Sequence, residues 1–323
     1  MRRRRFLLAG TLGAIAPACV LAQSRPVRIG FITPRPLAES IYTGPIVRRL
    51  AELGYREGGG MLLEYRATGG FADRYPKMAR ELIDLKCDLI FAVGPEVAVR
   101  VFRDARTSIP IVFLAVDFDP LETGIVKSLS RPEANITGLY IPQGELAAKR
   151  LEIMREVLPS ARRFLVLSDE SSRDQLATLR KRADASGMKL VVVEFSTQPY
   201  DFAGAFEAGR KEKAEALIGL ASAVFAANLA KVSGLLAQYR LPSAGTSGPM
   251  ADGGYLLSYG PDVSKITRRV AELGARILKG AKPADIPVEQ ADEFELVINS
   301  KTARALGLRI PESVRGRATR IIQ

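Results

Sequence analysis

The chain has 323 residues, a formal net charge of +12, two cysteines and neither histidine nor tryptophan. Without histidine, Ser/His/Asp and Cys/His catalysis and histidine-ligated metal sites are excluded, whatever the fold brings together. The excess positive charge is mild for this length. Lys and Arg are interleaved with Glu and Asp along predicted helices, which reads as a solvated surface and speaks against nucleic acid as a partner.

Residues 2–5 are four arginines, residues 6–18 form a mostly apolar stretch, and Val20-Leu21-Ala22 places small residues before Gln23. That is the layout of a cleaved export signal. The apolar stretch is shorter than the roughly 20 residues that span a bilayer, so a signal peptide at 1–22 and a soluble periplasmic product are expected. Arg3-Arg4 followed by Phe6-Leu7 leaves the Sec and twin-arginine routes both open. Cleavage would leave a charge of +8 and one cysteine, Cys87. At the step into a strand, Cys87 reads as a small buried apolar residue.

From there on, short apolar runs alternate with amphipathic segments, the pattern of parallel strands covered by helices. Strands are predicted at 27–33, 61–67, 88–94, 110–116 and 136–142, then at 163–169, 189–195, 216–221 and 242–246. The starts of the second series lie 26, 27 and 26 residues apart, close to the roughly 30 residues of one strand-helix unit. Two α/β lobes are therefore expected. Gly58-Gly59-Gly60 precedes a strand and reads as a turn; no strand is followed by a Gly-rich phosphate loop, so no cofactor is expected. A helix is predicted over 145–154, and Asp262 is predicted to cap a longer one that runs through Val270 to Leu278 and stops at Gly280. With no long linker, the chain must cross between lobes in short segments near 139–144, 255–261 and 285–293. This puts 23–141 plus about 261–287 in the first lobe and 142–260 plus about 288–323 in the second.

Ligands of an open parallel sheet sit beyond the carboxyl ends of the strands. That rule selects Thr33, the Gly94-Pro95-Glu96 turn and Asp117 in the first lobe, and Ser168 to Ser172, Ser222 to Phe225 and Thr246-Ser247 in the second. Gly94-Pro95 opening a helix offers N–H groups to an anion, and is equally an ordinary strand-helix turn. Glu96 either complements the helix dipole or meets a ligand ammonium. Asp117 and Asp119 fall on one face as a carboxylate pair would, while Asp119-Pro120 is also a common turn and helix start. Ser258 and Tyr259 supply a hydroxyl and a ring at an expected crossing, and Phe225 an apolar contact. A ligand grip between Phe225, Tyr259 and the 94–96 turn is expected from these.

Several segments together resemble one known family. They are Glu52-Leu53-Gly54-Tyr55-Arg56-Glu57-Gly58, Ile109-Pro110-Ile111-Val112-Phe113, Leu129-Ser130-Arg131-Pro132 with Asn135-Ile136-Thr137-Gly138, and Gly253-Gly254-Tyr255 through Gly260. Lys279-Gly280-Ala281-Lys282-Pro283 through Gln290, closed by Phe294-Glu295-Leu296-Val297-Ile298-Asn299, completes the set. In this order they are similar to the substrate-binding proteins of a family of bacterial ABC importers that includes tryptophan- and tyrosine-binding members. The resemblance implies two Rossmann-like lobes with parallel sheets and a three-crossing hinge, the type I periplasmic binding protein fold. It further implies a monomeric, non-enzymatic receptor that closes on a small molecule, an amino acid or an aromatic or organic acid, and hands it to permease and ATPase subunits at the membrane. Two other readings stay open: a ligand-sensing subunit of a membrane receptor, and an exported hydrolase or lyase using Asp117 with a cleft serine.

Overall fold

The structure, a computed structural model, describes residues 25–116, 118–132 and 135–323. The expected export segment and Asp117 lie outside the described residues. The strands run in chain order as β1 Val27–Thr33, β2 Met61–Ala67, β3 Leu89–Gly94, β4 Ile111–Ala115, β5 Ile136–Tyr140 and β6 Arg163–Ser168. They continue as β7 Lys189–Glu194, β8 Ala216–Ile218, β9 Ser243–Gly245, β10 Leu257–Pro261, β11 Glu289–Gln290, β12 Phe294–Asn299 and β13 Arg320–Ile322.

Two sheets result. The first has the order β11-β5-β4-β3-β1-β2 and the second β13-β12-β10-β9-β8-β6-β7. Pairing is parallel throughout the first sheet, and in the second only β10 against β12 is antiparallel. Every residue of β3 and β4 is buried, because helices cover both faces of a parallel sheet and leave no solvated side that would call for alternation. In the first lobe, one face packs Ile29, Phe31 and Phe91 beneath Ile46 and Leu50, and the other packs Ile32, Ala92 and Phe113 beneath Leu82 and Phe102. Phe31 and Phe91 stack with ring centroids 4.8 Å apart. The second lobe repeats this with one core around Phe164 and Val166 and another around Leu165, Phe202 and Phe206.

The connection between lobes is made three times: from β5 into the helix Gln143–Val157, from β10 into the helix Val263–Leu278, and from β11 to β12. The crossings lie side by side. Ala291 N–H donates to the Tyr140 carbonyl at 2.8 Å, and Asp262 N–H donates to the Glu293 carbonyl at 2.9 Å. The helix Val263–Leu278 leaves the second sheet yet packs Ile266, Val270, Leu273 and Ile277 into the first lobe's core. Each such side chain contributes roughly 1.5–3 kcal/mol of burial, which holds the second crossing firmly to the first lobe. As expected, Asp262 caps this helix, its Oδ1 accepting from Lys265 N–H at 3.1 Å.

Some details depart from the sequence reading. Strand β8 covers only Ala216–Ile218 of the predicted 216–221, because Gly219 onward turns toward the helix that Ser222 caps. The 255–260 run supplies strand β10 inside the second sheet, with Tyr255 buried in its core. β11 pairs with β5 in the first sheet, so the last crossing falls after Gln290. β12 and β13 were not anticipated; β12 is placed by its antiparallel partner β10 rather than by any local alternation.

Candidate functional site

Apart from β12 and β13, which run the opposite way, the strands of both sheets point their carboxyl ends toward the gap between the lobes, and the loops that leave them build its walls. On the first-lobe side, Thr33 ends β1 and is buried. Its hydroxyl accepts from Arg35 N–H and donates to the Arg35 carbonyl, both at 3.1 Å. Thr33 therefore shapes the turn that presents Arg35. Tyr65 Oη holds the same carbonyl at 2.7 Å. Arg35 then reaches across to the other lobe, Nη2 donating to the Ala223 carbonyl at 2.5 Å.

Gly94 ends β3 with φ +125°, and a Cβ there would lie 2.9 Å from Pro34 Cδ. This position accepts only glycine, for its backbone angle and for the close approach of the two loops. Pro95 is the N-cap residue of the helix Glu96–Asp104, one position earlier than an N1 proline. Glu96 forms an ion pair with Arg100 one turn along the same helix, so its charge is matched locally. Asp119 Oδ1 accepts from Leu121 N–H at 2.7 Å and Glu122 N–H at 3.2 Å, the turn arrangement rather than a free carboxylate.

In the second lobe the loop after β6 gathers hydroxyls around one carboxylate. Asp169 is 5 % exposed. Its Oδ1 accepts from Ser171 Oγ at 2.8 Å and Ser172 Oγ at 3.1 Å, and its Oδ2 from Ser222 Oγ at 2.5 Å and more distantly from Tyr200 Oη at 3.4 Å. Ser168 Oγ lies 3.2 Å from Ser172 Oγ. Ser222 also caps the short helix Ala223–Ala227, accepting from Val224 N–H at 3.1 Å. Burial, and then the neighbouring Asp169 carboxylate, push the Tyr200 phenol up to about 12. Gln175 clamps the adjoining loop, its Nε2 donating to the Ala221 carbonyl at 2.9 Å and its Oε1 accepting from Ala221 N–H at 2.8 Å.

The expected grip is not assembled as one surface. Phe225 is 7 % exposed and belongs to an aromatic cluster with Phe195, Tyr200 and Phe202, centroids 6.1–6.2 Å away. It is a core side chain. Ser258 is fully buried in β10, and its Oγ lacks a hydrogen-bond partner among the described residues. Tyr259 is the residue of the three that straddles both lobes, packing on a core of each, with the Phe294 ring 6.0 Å away.

A cavity of about 240 Å³ opens at the hinge end of the gap, lined, apart from Asp119, by residues not named as site candidates from the sequence. Phe118, Asp119 and Glu122 come from the first lobe. Tyr140 to Pro142 come from the first crossing, Gln143 to Glu145 from the helix it enters, Asp174, Gln175 and Thr178 from the helix Arg173–Ala185, and Gln290 from β11. Tyr140 Oη donates to Gln290 Oε1 at 2.7 Å. The segment 139–144 was expected as a crossing; that it also walls a cavity was not, because the walls facing it come from separate stretches of the chain, Phe118 to Glu122 and Asp174 to Thr178.

Residues 31–322 match the family described as ABC transporter substrate binding protein. The chain is similar to a tyrosine-binding protein of Clostridioides difficile, with 26 % identity over 274 residues that cover 81 % of this chain and 75 % of the relative. A conserved domain protein from Vibrio cholerae superposes with a TM-score of 0.81 at 26 % identity, over 92 % of this chain and 100 % of the other. An ABC domain in complex with L-Trp, from Streptococcus pneumoniae, superposes with a TM-score of 0.79 at 24 % identity and the same coverage. The two lobes therefore have the type I periplasmic binding protein fold, and the chain belongs to the family of ABC transporter substrate-binding proteins.

Proposed function

We propose that this chain is an exported receptor of an ABC importer that captures a small aromatic amino acid between its lobes and delivers it to the permease and ATPase. The observation that carries the reading is the pair of lobes meeting at their strand ends, joined by three short crossings and bridged by Arg35 to Ala223. A ligand that touches both lobes stabilises the closed arrangement over the open one by its differential affinity, and closure presents a composite surface to a membrane partner. The names of the relatives, one tyrosine-binding and one solved with L-Trp, set the ligand class to test first. Nothing in the proposal requires turnover. The Asp119 carboxylate is committed to backbone N–H groups, Ser168 Oγ lies beside Ser172 Oγ, and Ser222 is engaged both with the Asp169 carboxylate and as a helix cap.

Thermal-shift measurements with tyrosine, tryptophan, branched amino acids, aromatic acids and nucleosides test it. A true ligand at a hundredfold excess over its Kd adds about 2.7 kcal/mol of stability, and the aromatic amino acids are expected to give that rise. Product formation from a bound compound would replace the receptor reading with an enzymatic one. Loss of uptake of the identified ligand on deletion of the gene checks the transport step, and mass spectrometry of the exported protein checks cleavage before Gln23.

A further inference from the structure

We propose that Arg35 is an interlobe latch that sets how often the cleft closes before any ligand enters, and through that the affinity for every ligand the cleft takes. The proposal rests on the reading that the lobes open and close, and adds what fixes the balance between the two arrangements. Arg35 belongs to the first lobe, and its Nη2 donates to the Ala223 carbonyl of the second at 2.5 Å. The bond lies away from the crossings. Arg35 follows β1, which β4 and β3 separate from the crossing strand β5, and Ala223 follows β8, which β9 separates from the crossing strand β10. A contact inside the hinge persists when the lobes part, whereas one at this place must break.

Both ends of the bond are built within their own lobes. Arg35 stands between Pro34 and Pro36, whose rings fix their own φ and confine the residue before each of them to extended backbone. Pro34 packs on the Gly94 turn, where a Cβ would lie 2.9 Å from its Cδ. The Arg35 carbonyl is tied as well, accepting from Thr33 Oγ1 at 3.1 Å and from Tyr65 Oη at 2.7 Å. Its Nη1 lies 4.0 Å from Glu39 Oε2 while Nη2 crosses the gap, so one arm of the planar fork stays on its own lobe and the other reaches over. On the far side, Gln175 holds Ala221 by its N–H at 2.8 Å and its carbonyl at 2.9 Å. Ser222 Oγ donates to Asp169 Oδ2 at 2.5 Å and accepts from Val224 N–H at 3.1 Å. The two residues before Ala223 are therefore fixed by partners inside the second lobe.

Groups held in place beforehand lose little freedom when they meet, and a charged donor strengthens the bond they form. The Arg35 side chain is 26 % exposed, and competition from water reduces the net gain, so a shift of about fivefold in the closed-to-open ratio is expected rather than a locked cleft. A ligand gripped only in the closed form binds with an apparent Kd equal to its intrinsic value divided by the closed fraction. The latch therefore acts equally on all ligands, whatever their chemistry. A guanidinium that touched the ligand would instead favour some ligands over others.

Double electron–electron resonance on the ligand-free mature chain tests this first, with nitroxide labels on single cysteines introduced at exposed positions of the helices Tyr75–Asp84 and Phe202–Lys211; Cys87 is buried and stays unlabelled. Arg35→Met is expected to move the interlobe distances toward the open form, with the closed-to-open ratio about fivefold lower. Arg35→Gln, too short to cross the gap, replaces it if the Met variant does not melt cooperatively. Titration calorimetry with L-tyrosine and L-tryptophan follows on both proteins. The two ligands are expected to weaken by one common factor, the factor by which the closed fraction falls in the ligand-free protein. An unchanged distance distribution, or a wild-type one without a closed component, overturns the latch. So does a loss that falls on one ligand and spares the other, which would make Arg35 a ligand contact. If neither amino acid binds the wild-type chain, the aromatic amino-acid reading fails while the ligand-free distances still decide the latch.

Discussion

Asp169 and Arg150 are both buried in the second lobe, and the fold treats them in opposite ways. Asp169 sits at a strand end among Ser171, Ser172, Ser222 and Tyr200, and all four hydroxyls point at its carboxylate. Arg150 lies midway along the helix Gln143–Val157, on the face that carries Ala147, Leu151 and Met154 into the core. It is 0 % exposed, and its Nε, Nη1 and Nη2 have no hydrogen-bond partner among the described residues. Burial alone pushes its guanidinium down to about 9. Taking a charge out of water is tolerable where the loops supply partners and costly where they do not. A strand end, with its irregular Ser-rich loop, can supply them; the apolar underside of a helix cannot.

The comparison yields a ranked set of expected outcomes in denaturant unfolding, read as midpoint shifts at constant slope. Asp169→Ala has the largest effect, a loss of about 3 kcal/mol, because buried hydroxyls lose a shared charged acceptor. Arg150→Met comes next and has the opposite sign: a gain of roughly 2 kcal/mol, since an apolar side chain of similar length removes the desolvation cost. A destabilised Met variant would mean that the guanidinium has a favourable partner after all and would break the contrast.

The same variant carries a pH signature. Because the folded protein holds the Arg150 proton less tightly than the unfolded chain, the cost of its charge is fully present below about pH 9 and shrinks as pH rises above that value. The advantage of the Met variant should therefore be constant up to about pH 9 and narrow beyond it. A pH-independent difference would point to packing rather than charge.

Ser222→Ala should cost about 1 kcal/mol, the usual value of a helix cap, with some addition from the bond to Asp169 Oδ2. Tyr200→Phe closes the series. At 3.4 Å its hydroxyl is a weak donor to Asp169, and its stacking on Phe195, centroids 4.5 Å apart, survives the change, so an effect within about 0.5 kcal/mol is expected.

Much of the fold was legible along the chain. Strands β1 and β2 match their predicted limits, the Asp262 cap falls where it was placed, and Cys87 is the buried apolar residue it resembled, with burial pushing its thiol up to about 11. Of the candidate site, the strand-end rule selected Ser168 and Ser222, whose loops the structure brings together around Asp169, and it offered Phe225 as a ligand contact where the side chain packs into an aromatic core. The interleaved charges of the helices read as solvated surface, and the helix over 145–154 carries two kinds of them. Lys149 is at the surface, paired with Glu152, while Arg150 points into the core.

The sequence by itself determined the α/β alternation and the two lobes. Those features rest on apolar periodicity and on turn and cap residues, which act over a few positions and survive any reading that slides a strand by a residue or two. Only the tertiary structure decided which polar groups have partners. Whether Asp169 is satisfied, Arg150 stranded or the Gln143 carbonyl left without a partner among the described residues depends on strand ends and helix starts brought together from segments tens of residues apart, and the energy of a buried polar group is set by those neighbours rather than by its own place in the chain.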